Sequence, residues 1–120
     1  MTEVKRPERL PSEILSDGLW LQHFMAEDAR GEEVHPDSAD AVGWCLMGAC
    51  VAAHHGETPK AFYEAVCEAV LRRDGQMSGM FVFGSVADLL MHFNDSSGRT
   101  KAEVVGALQE AEARYYGSSS

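Results

Sequence analysis

Ala41-Val42-Gly43-Trp44-Cys45-Leu46-Met47-Gly48-Ala49-Cys50-Val51-Ala52-Ala53 carries no charge, and it is bracketed by Asp40 and the pair His54-His55. A surface helix shows one wet face, which this run lacks. A membrane span needs about 20 apolar residues, and the run falls short of that. It is therefore expected to be a buried central helix over residues 39–55. Pro36-Asp37-Ser38 supplies a pre-set φ and oxygen acceptors for its first turn, and Gly56 follows its end. Gly43 and Gly48 each cost about 1 kcal/mol relative to alanine inside a helix, so both are expected where a neighbouring element approaches closely.

Upstream, residues 1–11 carry charges and two prolines and are expected to form a poorly ordered arm. Ser12 is placed to cap a short helix through Asp17, with Gly18 as a left-handed stop. Leu19 to Glu27 reads as a strand, Asp28-Ala29-Arg30-Gly31 as a type I turn closed by a glycine bulge, and Glu32 to His35 as the returning strand. A lone hairpin is marginal in water, so this one is expected to lie on helices. Downstream, Thr58-Pro59 starts a helix with Phe62, Val66, Ala69 and Val70 on one face, closed by Gly75. Gln76 to Gly84 reads equally as a short strand or a packed loop. Ser85 caps a helix with Val86, Leu89, Leu90 and Phe93 in register, and Thr100 with Glu103 forms a capping box for the last helix. The tail from Gly117 to Ser120 is expected to be flexible.

The fold class expected is α+β, mostly α: an N-terminal hairpin on four or five helices, with one globular domain over residues 12–116. A chain of 120 residues suits a single core. With 19 acidic against 10 basic side chains the formal charge is −9, which disfavours direct nucleic-acid binding and reads first as simple solubility, with a binder of basic surfaces or a nucleic-acid mimic as the lesser alternatives. Cys45, Cys50 and Cys67 make an odd count without a CxxC pair, so neither a disulfide framework nor a zinc site is indicated. The start of the chain has no apolar core of signal-peptide length. The expected location is the cytoplasm, with no membrane attachment and no cofactor.

Three segments carry a resemblance. Asp28-Ala29-Arg30-Gly31, Trp44-Cys45-Leu46-Met47-Gly48-Ala49 and the stretch from Phe93 to Val104 resemble, in that order, a family of short uncharacterised proteins from bacteria and their phages. Its signature is a WCxxGA helix followed by an NDxxGRTxxEV element, and the similarity covers residues 12–112. The resemblance implies a shared fold and carries over no catalytic role. Cys50 departs from the pattern, since the family more often has another apolar residue there; this counts against a paired role for Cys45 and Cys50.

Two constellations carry chemistry. Cys45, near a helix start and served by His23, His35 or His92 with Asn94 or Asp95, would form a nucleophilic thiol. Against this, Cys45 is expected about two turns inside its helix, where the dipole has faded, so core packing is favoured. Asn94, Asp95, Arg99 and Thr100 form the densest polar cluster. They read as a binding site, with Arg99 as a forked donor, or as a structural clasp in which Thr100 caps and Arg99 pairs with an acid. His54 and His55 are adjacent on a helix and point apart, and His92 with Asp95 supplies only two ligands, so no metal is expected. Trp20, Phe24, Phe62, Phe81, Phe83 and Phe93 lack interleaved basic residues and read as core rather than as a base-stacking platform. Tyr115-Tyr116 is a contact patch or a core edge. The function favoured is a non-enzymatic interaction or regulatory module whose partner is another protein. A Cys45-dependent hydrolase or transferase and an acidic nucleic-acid mimic are the alternatives.

Overall fold

The computed structural model describes residues 7–73 and 85–117. Among these, the chain order is α1 (Pro11–Asp17), β1 (Leu19–Trp20), β2 (Ala26–Glu27), β3 (Gly43–Trp44), α2 (Leu46–His54), α3 (Lys60–Arg73), α4 (Val86–Asp95) and α5 (Lys101–Tyr116). The mostly helical α+β class follows directly. The reading of Gln76 to Gly84 lies outside the described residues.

The uncharged run is not one helix. Its first part, Gly43–Trp44, is the middle strand of a small sheet ordered β1-β3-β2, and α2 begins only at Leu46. β3 pairs parallel with β1, Leu19 opposite Gly43, and antiparallel with β2, Ala26 opposite Trp44. A central strand buried on both faces and a buried helix both read as continuous apolar sequence, so hydropathy does not separate them. Gly43 tips the balance: a Cβ there would lie 3.1 Å from the Leu19 side chain, an approach the sheet needs and a helix does not. Pro36-Asp37-Ser38 belongs instead to a turn, with Ser38 N–H donating to the His35 carbonyl at 2.9 Å.

The expected hairpin is likewise reduced. His23, at φ 75°, breaks the strand drawn from Leu19 to Glu27, and the returning strand contributes only one bridge, Glu33 with Glu27. The turn itself is as expected. Gly31 takes φ +81°, and Asp28 Oδ1 accepts from the backbone N–H groups of Arg30 and Glu32 at 2.9 Å each.

The first helix starts earlier than its serine suggests. Leu10 is the N-cap, Pro11 occupies the first turn, and Glu13 reaches back to the Leu10 N–H at 2.7 Å. Leu10 and Pro11 are buried, so neither belongs to a loose arm. Ser12 does other work: its N–H and hydroxyl both donate to the buried carboxylate of Glu112, at 2.8 and 2.5 Å, tying α1 to α5. Gly18 is extended rather than left-handed. What requires a glycine there is Trp44, whose ring would lie 2.6 Å from an added Cβ.

Phe62, Val66 and Val70 of α3 bury against Val104, Leu108 and Ala111 of α5, with Leu89, Leu90 and Phe93 of α4 closing the core. Ser85 and Thr100 cap α4 and α5 as expected, the latter in a full capping box with Glu103. α2 ends at His54, with His55 left-handed and Gly56 following it. The Tyr116 ring stacks on His54 and its hydroxyl bonds His54 Nε2, while Tyr115 packs edge-on to Phe62, so the pair closes the core. Burial pushes the Tyr116 hydroxyl up to about 12. The three cysteines are free and buried. Among the described residues, no helix is long and apolar enough to cross a membrane.

Candidate functional site

At the N-terminus of α2 the chain brings together residues far apart in sequence. Asn94, only 1% exposed at the end of α4, is the hub. Its Oδ1 accepts from the indole N–H of Trp20 at 2.7 Å and from the backbone N–H of Leu46 at 3.0 Å. Its Nδ2 donates to the Leu21 carbonyl and to Asp95 Oδ1, each at 2.9 Å. Gln22 adds a bond from its amide to the Asn94 carbonyl at 3.0 Å. One side chain from α4 thus satisfies a free first-turn amide of α2 and holds the β1–β2 connection.

Cys45 is the N-cap of α2, not a residue two turns inside it. Its Sγ accepts from the Gly48 N–H at 3.3 Å, and its own N–H donates to the Met25 carbonyl at 3.1 Å. The amides of Gly48 and Met47 favour a thiolate, as expected for a helix start. Burial outweighs them, and with the nearby Asp95 carboxylate it holds the thiol above its ordinary range.

Cys45 forms part of the wall of a small pocket that encloses about 30 Å³, room for one or two waters. Its lining includes His23, Met25, Met47 and Asp95, and Phe24 and Met91 stand at its edge, 53% and 45% exposed. Asp95 holds His23 in place, accepting from its backbone N–H at 2.9 Å, with the imidazole Nδ1 3.7 Å from its other oxygen. Of the three histidines that sequence offers to Cys45, only His23 lines this pocket. His35 is occupied locally by the Asp37 N–H at 3.0 Å, and His92 lies exposed on α4.

The four polar candidates separate. Asn94 and Asp95 face the pocket. The Arg99 guanidinium lies over the Phe93 ring at 3.9 Å, donates to the Phe93 carbonyl at 2.8 Å and pairs with Glu103 at 3.1 Å. Thr100 caps α5. No group of three His, Cys, Asp or Glu residues suited to a metal ion occurs among the described residues. The sequence gives no direct sign that Trp20, Gln22 and the three methionines belong to this site. Trp20 and Gln22 reach Asn94 across more than seventy residues, and only the recurrence of sulfur-bearing residues hints at a soft surface.

The segment carrying Trp44-Cys45 and the segment carrying Asn94-Asp95 therefore meet in one place, and both fall within the span of one family model. That model matches residues 11–114. The chain belongs to DUF6197, a family of unknown function. No curated protein and no solved structure matches it. In this DUF6197 member the meeting point of the two segments, rather than either alone, is the candidate site.

Proposed function

We propose that the chain is a non-enzymatic interaction module that engages another protein through the rim of the pocket at the start of α2, acting as a regulator or inhibitor in a bacterial or phage-infected cell. The observation that carries this reading is the pair Phe24 and Met91, two large apolar side chains left exposed in the lining of a methionine-walled depression. Methionine side chains are unbranched and polarisable, so Met25, Met47 and Met91 can re-form around an inserted group larger than the resting pocket holds. The polar atoms beneath are engaged internally, Asn94 wholly so, which suits a rigid floor more than a reacting centre. Three buried free thiols suit a reducing compartment such as the cytoplasm.

A photo-crosslinking side chain at position 24 tests this in the producing cell, with exposed Glu64 on α3 as the control position. A discrete adduct from position 24, absent from position 64 and suppressed by excess unlabelled chain, is expected. Equal background at both positions overturns the reading.

A thiol-dependent hydrolase or transferase is the second reading, because Cys45, His23 and Asp95 line one pocket with Cys45 at a helix start. Its requirement is an accessible thiolate. With 6% exposure and a raised thiol, Cys45 is expected to resist iodoacetamide from pH 5 to 9 until denaturant is added, read by peptide mass spectrometry. Fast labelling of the folded protein with a midpoint below about 7 would instead make the enzyme reading the stronger one.

A further inference from the structure

We infer that the occupant of this rim is a basic polypeptide segment, which seats one apolar side chain among the methionines and holds lysines or arginines against the carboxylates around it. The inference rests on the docking role proposed above and adds the chemistry of the partner. The charge behind it is unevenly spread. Between Leu19 and Pro59 the sequence holds seven carboxylates, from Glu27 to Glu57, against one cation of the Lys or Arg type, Arg30. α4 adds Asp88 and Asp95 and contains neither Lys nor Arg. Several arginines elsewhere pair with acids of their own, Arg9 with Asp17 at 2.5 Å, Arg99 with Glu103 at 3.1 Å, and Arg72 with Glu110, while Lys101 donates to the Gly18 carbonyl at 2.9 Å.

Every residue of the pocket wall comes from one or other of these two cation-poor stretches, and Asp95 is its carboxylate. Asp88, Met91 and Asp95 recur along α4 at spacings of three and four and share one helix face, so an apolar side chain stands between two carboxylates. Asp88 and Met91 are exposed and Asp95 is partly so. An apolar spot flanked by fixed negative charge matches a segment in which a leucine or phenylalanine lies between cations. The surrounding field raises the encounter rate of such a segment and repels a phosphate backbone.

The test uses the full chain with ¹³C-methyl-labelled methionine and two acetylated, amidated peptides, KKSLFSKKS and its uncharged counterpart QQSLFSQQS. The lysine peptide is expected to move the methyl signals of Met25, Met47 and Met91 and to bind about tenfold more tightly than the glutamine peptide at low salt, an advantage lost near 1 M salt, roughly, where charges are screened within a few ångström. Asp88→Asn is expected to weaken the lysine peptide about two- to fivefold, as loss of one exposed ion pair does. Equal binding of both peptides at these methionines overturns the basic partner and leaves the docking role standing. If neither peptide moves the three signals, the docking role itself fails. A dimer in sedimentation that Phe24→Ser dissolves would make a second copy the occupant and overturn the inference.

Discussion

Asn94→Ala lowers the stability of the folded chain by about 3–5 kcal/mol, measured by urea denaturation, because it strands several polar groups at once. The indole N–H of Trp20 and the backbone N–H of Leu46 both lose the acceptor they share, and the Leu21 carbonyl loses its donor. Each group left buried without a partner costs about 1–3 kcal/mol, and the Leu46 amide lies in the buried first turn of α2. Against a total of roughly 5–15 kcal/mol for a small domain, one side chain then decides whether the fold is populated. Trp20 fluorescence should shift to the red before the global transition, since the ring loses its anchor. Asn94→Asp separates the roles of the two halves of the amide. It keeps the acceptor for Trp20 and Leu46, loses the donor to Leu21 and sets a second carboxylate beside Asp95. The two carboxylates repel while the N–H donors of Trp20 and Leu46 still keep their acceptor, so a smaller loss than for Asn94→Ala is expected. A loss under about 1 kcal/mol for Asn94→Ala would mean that water replaces the amide and that Asn94 is not the hub.

Gly48→Ala is expected to be as severe. A Cβ at position 48 would lie 1.9 Å from the Met25 carbonyl oxygen and 2.9 Å from its carbon, and backbone has no rotamer with which to retreat. The segment entering β2 must shift, which breaks the bond from Cys45 N–H to that same carbonyl. Alanine's better helix propensity returns about 1 kcal/mol, less than the overlap costs. A net loss of about 3 kcal/mol or more is expected, lowering Tm by upwards of about 12 °C in a domain of this size. Gly106→Ala on α5 is the control. Its Cβ meets only the guanidinium of Arg73 at 3.1 Å, the far end of a flexible side chain, so stability should hold or rise slightly. If Gly48→Ala behaves like Gly106→Ala, Met25 does not pack on α2 as described and the pocket wall it forms is different.

Much of the helical frame is legible in the order of residues alone. Thr100 and Glu103, Ser85, the Phe62–Val70 face and the Gly31 turn each rest on hydrogen bonds or spacings within a few residues, which sequence displays directly. Gly48 is also legible as a point of close approach, though not what approaches it. The run around Trp44 reads as helix throughout because the middle strand of a sheet and a buried helix can both be uncharged sequence, and hydropathy carries no sign of which backbone pairing forms. The same ambiguity moves Cys45 from the cap of α2 into its interior, where the dipole argument no longer applies to it. Ser12 reads as a cap because nothing local reveals Glu112, one hundred residues away, as its acceptor.

By itself, then, the sequence determined an acidic, mostly helical domain with its caps and turns, because these depend on neighbours along the chain and on composition. Only the tertiary structure decided that Trp44-Cys45 and Asn94-Asp95 meet, that Cys45 shares a pocket with His23, and that Phe24 and Met91 are left exposed beside it. Those facts depend on which backbone groups remain unpaired once the helices form, and on the contacts across fifty to seventy residues that satisfy them.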